Sequence, residues 1–478
     1  MKSFLCFIAM AFSLSAYSSL PGEKKALKVS RLFSDHMVLQ QQEKVNFWGQ
    51  STPGEKLTIS ANWGKNASTS ADAAGNWKVK LLTPKAGGPY TITIKTKDSN
   101  MMIKDILIGE VWLASGQSNM DIPLKGWPPG DTILNSKQEI SKASYPNIRL
   151  LKVPFGISTT PLDSIGGKWN AASPETAGDF SAAAYFFARK LYQELHVPIG
   201  IIQSSIGGTP AEAWTSKGYL EKLGDFNKTI DEQEKPQNTT EKPKLNSNSP
   251  TVLFNAMINP LIPYSIKGVI WYQGESNVGR AEQYKKLFPN MIEDWRDKWG
   301  YQFPFYFVQL APYIYKDPKQ TEQSQKLRDA QRYGLKLPKT GMVSTLDIGY
   351  LKTAHPPNKQ EVGNRLARFA LANDYGKKLV ASGPLYKKVS ASGKELIVEF
   401  ESVGSGLLAS DKGLTNFEIA GADKVYVPAQ AKIVGNKVVV SSPSVAAPVY
   451  VRYAWSDSSA ATLFNKEGLP ASTFTSED

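Results

Sequence analysis

A serine follows directly on an apolar run and a tight turn. Residues 106–114 are mainly apolar, which is typical of a strand buried on both faces, and Ser115-Gly116 can turn sharply after it. The turn would present Ser118 at the carboxyl end of the strand, where open α/β sheets build their ligand sites. A hydroxyl there can act as a nucleophile, and its own N–H can donate to an oxyanion. Serines follow strands in many proteins, so the interpretation depends on partners.

Four sequence blocks supply those partners. In chain order they are residues 116–120 (GQSNM), 205–214 (SIGGTPAEAW), 271–277 (WYQGESN) and 355–363 (HPPNKQEVG). Together they resemble the conserved blocks of the sialate O-acetylesterase type of SGNH hydrolases, and residues 33–40 resemble the usual opening of that family. The resemblance implies a serine esterase that removes acetyl groups from sugar hydroxyls. It also implies a three-layer α/β/α core with a flavodoxin-like parallel sheet.

His355 is the predicted general base. A serine nucleophile needs a group that exchanges a proton near neutral pH, and the chain has three histidines. His36 lies in a β-patterned region and His196 lies between a helix and a strand, where structural roles are expected. His355 precedes a predicted helix and stands in the block that carries the catalytic histidine of the family. We therefore predict Ser118 and His355 as the catalytic residues.

The other two blocks suggest the oxyanion hole. Gly207 begins a Gly-Gly pair after a predicted strand, and its N–H can approach a developing charge because no side chain intervenes. Asn277 can contribute a side-chain amide. With the N–H of Ser118, these groups make three predicted donors. In isolation, both motifs would be read as ordinary turns.

The orienting acid is missing from its usual place. Related enzymes commonly carry an aspartate two or three residues before the histidine, but Thr353 and Lys352 occupy those positions here. Two alternatives remain. Either a backbone carbonyl near these residues orients the imidazole of a Ser-His dyad, or Asp347 folds back to reach His355.

Gln117 and Glu275 are predicted to support the geometry of the site loops through hydrogen bonds and packing. We predict no metal, because paired His, Cys or carboxylate residues at ligand spacing are lacking. We predict no other cofactor, since no glycine-rich phosphate loop with a following lysine is present.

The remaining pattern predicts the fold. Apolar runs at residues 106–114, 199–204, 267–272, 304–310 and 341–346 alternate with segments of helical period, which favours a parallel sheet covered on both faces. One predicted helix starts at Asp179 or Ser181, and another starts at Asn358. We predict an N-terminal β-sandwich domain over residues 20–105, an SGNH hydrolase catalytic domain over 106–380 and a C-terminal β region over 381–478. The C-terminal region either forms a separate sandwich or completes the N-terminal one.

The first 19 residues are predicted to be a signal peptide. Lys2 precedes a short apolar core at residues 5–16, which is too short to span a bilayer. Cys6, the single cysteine, lies in this core, so the mature protein would contain no disulfide. We expect an exported protein of the bacterial periplasm or the extracellular space, with no membrane span in its mature form.

The expected partner is an acetylated carbohydrate. The formal charge of +13 agrees with an anionic sialic acid, but the lysines are scattered and form no dense basic run, so we predict no nucleic-acid binding. Acetylated xylan or another plant polysaccharide is an alternative substrate. A non-catalytic carbohydrate-binding protein is a third hypothesis, disfavoured because Ser118, His355, Gly207 and Asn277 are all present. The sequence leaves the oligomeric state open.

Overall fold

The computed structural model describes residues 26–234 and 245–477, so the predicted signal peptide lies outside the described residues. The strands are β1 (Lys28–Val29), β2 (Val38–Gln40), β3 (Lys44–Gln50), β4 (Lys56–Ala61), β5 (Lys65–Ser70), β6 (Asn76–Leu82), β7 (Gly87–Lys95), β8 (Asn100–Gly116), β9 (Tyr145–Lys152), β10 (Trp169–Ala172), β11 (Ile199–Ser205), β12 (Gly268–Tyr272), β13 (Phe305–Val308), β14 (Thr340–Val343), β15 (Leu385–Ser392), β16 (Glu395–Glu401), β17 (Leu407–Ala409), β18 (Phe417–Ala420), β19 (Val427–Pro428), β20 (Gln430–Val434), β21 (Lys437–Ser441), β22 (Tyr450–Tyr453), β23 (Leu463–Asn465) and β24 (Phe474–Thr475). The α-helices are α1 (Ser118–Asp121), α2 (Ser136–Ser141), α3 (Pro174–Ala177), α4 (Ala182–Leu195), α5 (Lys217–Leu223), α6 (Asn227–Glu234), α7 (Ala281–Trp299), α8 (Ser324–Gln331) and α9 (Lys359–Asn373). Short 3₁₀ or π turns cover Ala211–Trp214, Phe254–Ile258, Asn259–Leu261, Glu275–Asn277 and Arg332–Lys336.

A mainly parallel sheet forms the centre of the molecule. Its strand order is β10-β9-β11-β8-β12-β13-β14, and only β10 runs antiparallel to its neighbour. The five predicted core strands are β8, β11, β12, β13 and β14. Taken alone they follow the order 2-1-3-4-5 of flavodoxin-like folds. The chain order reverses on the two sides of β8, so the carboxyl ends of β8 and its neighbours are where such a sheet builds its site.

Helices cover both faces of this sheet. Alternate residues of β12 face opposite layers: the ring centroid of Trp271 lies 5.8 Å from that of Trp295 in α7, whereas Tyr272 belongs to the core that contains α4 and α9. These two helices cross closely, because a Cβ on Gly363 would lie 2.7 Å from the Ala183 carbonyl oxygen. The prediction of a mixed α/β protein with a mainly parallel central sheet is confirmed.

Both predicted helix starts are present. The Ser181 hydroxyl accepts a hydrogen bond from the Ala184 N–H at 3.2 Å and caps α4. The Asn358 side chain accepts from the Glu361 N–H at 3.1 Å and caps α9. The second cap places the block that contains His355 at the entrance to α9.

The N-terminal β region is continuous with the central sheet. Sheets β1-β3-β6 and β5-β4-β7-β8 contribute to one core, and β8 runs on from the second sheet into the parallel sheet. The first half of β8 pairs with β7, and its second half pairs with β11 and β12. The boundary predicted between residues 105 and 106 therefore falls inside a single strand.

The C-terminal strands form their own antiparallel sheets, β15-β16-β21-β20, β17-β23 and β19-β18-β22-β24. Within the described ranges, none of them pairs with an N-terminal strand. They are attached to the catalytic region by buried polar contacts. Arg328 of α8 donates to the Thr473 hydroxyl at 2.9 Å, and the Asp457 carboxylate accepts from the Ser324 hydroxyl at 2.6 Å. No helix in residues 26–234 or 245–477 is both long and apolar enough to cross a bilayer.

Candidate active site

Three strand ends meet around Ser118. Gly116 has φ +136°, and a Cβ there would lie 2.2 Å from the Tyr272 carbonyl oxygen, so only glycine fits. The Gln117 N–H donates to that same oxygen at 3.0 Å, and the Ile206 N–H donates to the Gly116 carbonyl at 3.1 Å. The ends of β8, β11 and β12 are thereby tied together. Ser118 follows as the first residue of α1, with 8% of its surface exposed.

Two backbone donors beside Ser118 are free. In the described part of the chain, neither the N–H of Ser118 nor that of Gly207 donates a hydrogen bond. The two residues are neighbours in space, since a Cβ added to Gly207 would lie 3.5 Å from Ser118 Cβ. Unpaired N–H groups next to a serine hydroxyl are what an oxyanion hole requires.

His355 is paired with a carboxylate. Its Nδ1 lies 2.7 Å from Oδ2 of Asp131, whose Oδ1 accepts from the Thr353 hydroxyl at 2.7 Å. The Thr353 hydroxyl in turn accepts from the His355 N–H at 3.1 Å. A carboxylate accepts but does not donate, so the neutral imidazole of this pair carries its hydrogen on Nδ1 and leaves Nε2 as an acceptor. The Trp127 ring packs edge-on against the imidazole, with centroids 5.5 Å apart.

The loop of His355 lies against the turn of Ser118. Asn119, the residue after the serine, donates from Nδ2 to the carbonyl oxygen of Ala354, the residue before the histidine, at 2.8 Å. The structure therefore joins the turn that carries Ser118 to the loop that carries His355, although the two residues lie in blocks more than 200 positions apart.

The structure pairs neither of the two predicted orienting groups with His355 Nδ1. The Asp347 carboxylate is bound by Arg365, which donates to both of its oxygens at 2.7 Å and 2.6 Å. The acceptor at Nδ1 is a carboxylate and not a backbone carbonyl. Asp131 was missed because it lies between β8 and β9 in a turn-rich stretch, GWPPGDT, whose composition predicts only a loop.

Asn277 is held in place by three hydrogen bonds of its side chain. Its side chain is fully buried, Oδ1 accepts from the Ala211 N–H at 3.0 Å and from Gln273 Nε2 at 2.7 Å, and Nδ2 donates to Glu212 at 3.0 Å. The amide therefore joins the second block to the third. Among the described residues, these contacts use only one of the two Nδ2 hydrogens, so the role of Asn277 as an oxyanion donor stays a prediction.

The two predicted supporting residues make contacts between loops. Gln117 Oε1 accepts from the N–H groups of Gly274 and Ser276 at 3.3 Å and 3.2 Å. Glu275 Oε1 accepts from the Asn119 side chain. The turn after β8 is thus bonded to the turn after β12 in both directions.

Comparison with known proteins identifies the family. The model of a family described as "Carbohydrate esterase, sialic acid-specific acetylesterase" matches residues 108–372, more than half of the chain. The chain belongs to this family. Mouse sialate O-acetylesterase is 33% identical over 411 residues, covering 74% of this chain and 75% of the mouse protein. The human enzyme is 34% identical over 395 residues, covering 74% and 73%. A crystal structure of a carbohydrate acetylesterase from Xanthomonas citri is similar with 39% identity and a TM-score of 0.84, covering 94% of this chain and 99% of the other.

As a sialic acid-specific acetylesterase family member, the protein is a carboxylic ester hydrolase. The matched region begins within β8 and ends in α9, so it contains Ser118, Asp131, Gly207 and His355. In the described residues of this esterase, no group of three or more His, Cys, Asp or Glu side chains is arranged to hold a metal ion.

A large cavity of this esterase lies away from these residues. It has a volume of about 910 Å³ and lies between the N-terminal β region and the catalytic region, lined in part by Trp48, Trp77 and Pro260. Neither Ser118 nor His355 lines it. We place the candidate active site by its chemistry, because cavity size alone does not supply a nucleophile and a base.

Proposed function

We propose that this protein is an exported serine esterase that removes O-acetyl groups from carbohydrates, with acetylated sialic acid as its substrate. The observation that carries the proposal is the contact of His355 with the Asp131 carboxylate. The loop that contains His355 is bonded to the Ser118 turn through Asn119. The names of the mammalian relatives and of the Xanthomonas citri enzyme support the same chemistry.

The reaction proceeds in two halves. Ser118 Oγ attacks the acetyl carbonyl carbon while His355 Nε2 takes the hydroxyl proton. The oxyanion of the tetrahedral intermediate accepts from the free N–H groups of Ser118 and Gly207. When the ester bond breaks, His355 returns the proton to the sugar oxygen, and an acetyl group remains on the serine. Water then attacks this acyl group while His355 takes one of its protons. When the bond between the acyl carbon and Ser118 Oγ breaks, His355 returns the proton to Oγ and acetate leaves.

Asp131 keeps the imidazole productive through this cycle. Its contact with Nδ1 holds the hydrogen on that atom, so that Nε2 can accept the serine proton, and its charge stabilises the imidazolium. Asn277 bonds the Ala211 N–H and the Glu212 carboxylate and so supports the loop of the second block.

The substrate is the second part of the proposal. A formal charge of +13 favours an anionic sugar, and the mammalian relatives are named for acetylated sialic acid. The similarity to a bacterial carbohydrate acetylesterase over 94% of the chain keeps a neutral polysaccharide such as acetylated xylan as the second candidate.

Acetate release from acetylated sialic acid and from acetylated xylan tests both parts. We expect the sialic acid to give the higher kcat/KM, and Ser118→Ala to abolish release from either substrate. A higher kcat/KM on acetylated xylan would show that the substrate is a neutral polysaccharide, and the proposed mechanism would still hold. Wild-type turnover by Ser118→Ala, or absence of turnover of any acetyl ester by the native protein, would overturn the mechanism.

Export and domain organisation complete the proposal. Residues 1–19 would direct export to the bacterial periplasm or the medium, and residues 106–380 would form the catalytic domain between the two β regions. The mass of the protein recovered from the periplasmic fraction tests the first of these, because cleavage removes the signal peptide. An uncleaved cytoplasmic protein would contradict export.

A further inference from the structure

A lysine is buried beneath the site. Lys359 is the first residue of α9, and its side chain is fully buried. Its Nζ donates to Oδ1 of Asn119 at 2.7 Å and to the Pro356 carbonyl oxygen at 2.7 Å, and it lies 5.7 Å from the centroid of the Tyr272 ring. Fully buried lysines are rare unless they are paired, so the cost of this burial needs an explanation.

Asn119 connects the lysine to the site. Its Oδ1 accepts from Lys359, and its Nδ2 donates both to the Ala354 carbonyl and to Oε1 of Glu275. A side-chain amide has two hydrogens and one oxygen, and all are used here. One amide therefore joins the Ser118 turn, the turn after β12 and the loop of His355. Lys359 holds the oxygen of this amide and thereby its orientation.

The charges around the lysine are few. Glu275 and Asp131 are the carboxylates that act on it, and burial is the larger influence, which lowers the pKa of Lys359 to about 7. Burial likewise raises the pKa of Glu275, against the influence of Asn119, His355 and Lys359. Glu275 Oε2 is buried and has no hydrogen-bond partner in the described part of the chain. A buried, incompletely satisfied pair next to a reaction site is typical of function more than of stability.

We propose that Lys359 is a positioning residue of the esterase, whose ammonium group fixes the Asn119 amide and so holds the Ser118 turn and the His355 loop in register for proton transfer. The inference rests on the proposed function of Ser118 and His355. The competing explanation is that Lys359 only balances the charge of Glu275.

A double-mutant cycle separates the two explanations. The variants are Lys359→Met, Glu275→Gln and their combination, each assayed for kcat and KM on an acetyl ester and for Tm. The Glu275→Gln change keeps an oxygen that can accept from Asn119 but removes the charge. Lys359→Met should lower kcat about 10- to 100-fold with KM changed less than about threefold, since small displacements of reacting groups have effects of this size.

The effect of Lys359→Met in the wild-type and in the Glu275→Gln background distinguishes positioning from charge balance. If Lys359 orients Asn119, its replacement lowers kcat by a similar factor in the wild-type and the Glu275→Gln backgrounds, whereas its effect on Tm shrinks once the buried charge is gone. If Lys359 only balances charge, both effects disappear in the Glu275→Gln background. That result, or an unchanged kcat for Lys359→Met, would overturn the inference.

A second variant carries the test if Lys359→Met does not fold. Asn119→Ala retains Lys359 and Glu275 and removes only the amide, and it should lower kcat about 10- to 100-fold with KM changed less than about threefold. An unchanged kcat would overturn the inference. Ser118→Ala and His355→Ala are assayed alongside. If either retains wild-type kcat, the proposed function fails. If both are inactive while Asn119→Ala and Lys359→Met are fully active, only the inference about Lys359 fails.

Discussion

Nδ1 of His355 lies 2.7 Å from Oδ2 of Asp131, although 224 residues separate them in the chain. Thr353, which occupies the position two residues before the histidine, donates its hydroxyl to the other oxygen of the same carboxylate. The acid thus approaches the imidazole from a loop between β8 and β9 and not from the loop of the histidine itself. Asp131 nevertheless contacts Nδ1, the imidazole nitrogen that must carry the hydrogen if Nε2 is to act as the base.

Replacing Asp131 by asparagine is expected to lower kcat by about 1,000-fold or more, because an amide permits the wrong imidazole tautomer and provides no charge for the imidazolium. The measurement is kcat on an acetyl ester, with Tm recorded in parallel. Asp347→Asn is the matched control. It breaks the pair with Arg365, so Tm should fall while kcat stays within about threefold. A larger kcat loss in the control than in Asp131→Asn would contradict the assignment.

Placing an acid at position 353 should impair the enzyme. In Thr353→Asp, a second carboxylate would stand against Asp131 Oδ1, which now accepts from the threonine hydroxyl, and the like charges would repel each other. We expect kcat to fall about 10-fold or more. Thr353→Ser keeps the hydroxyl and should remain within about threefold of the wild type. Higher activity in Thr353→Asp would show that the usual position of the acid is vacant, contrary to the observed contacts.

Loss of the Asn277 side chain should act mainly on stability. Asn277→Ala leaves the Ala211 N–H without its acceptor, at about 1–3 kcal/mol for a buried group left unpaired. It also removes one hydrogen bond each from Gln273, which still donates to the Thr209 carbonyl, and from Glu212, which still binds Arg280. Urea unfolding measures the loss. Ser276→Ala, next to it in the same turn, should change the free energy of unfolding by less than about 0.5 kcal/mol. A kcat reduced about 100-fold with unchanged stability would instead make Asn277 an oxyanion donor.

Asp294 should make the protein more stable in mild acid than at neutral pH. Burial is the main cause that raises the pKa of its fully buried carboxyl group to about 6, from 3.8, against the hydrogen bonds from Ser216. The folded state therefore keeps the proton between these values. The stabilisation is complete below about pH 4 and is lost as the pH rises through about 6.

The comparison variant is Asp294→Asn, which does not titrate and can still bond Ser216. The free energy of unfolding of the wild type relative to this variant should fall by on the order of 3 kcal/mol between pH 4 and pH 7. Chemical unfolding at the two pH values measures the change. A difference that is independent of pH would show that Asp294 has the same proton affinity in both states.

Several parts of the site are determined by local sequence. The apolar run before Ser118 specifies a strand. Gly116 specifies the turn after it, because no other residue type fits at that position. Ser181 and Asn358 mark helix starts, because a cap bonds an N–H only three residues away. The prediction of His355 as the base also uses a short segment, because it depends on the resemblance of residues 355–363 to a block of the family and on the exclusion of the other two histidines.

The tertiary structure decided which side chains face one another. Asp131 reaches His355 across 224 positions, and Glu212 engages Asn277 across 65 positions. Arg365 of α9 binds Asp347, which lies 18 positions earlier. No periodicity or spacing records such contacts, because they depend on how the strand ends are aligned and how the loops pack over them. The addition of β9 and β10 beside β11 and the continuity of β8 across two sheets follow from strand pairing for the same reason. Residue types and local turns are properties of short segments, whereas the partner of a carboxylate or an amide is set by the packing of the whole chain.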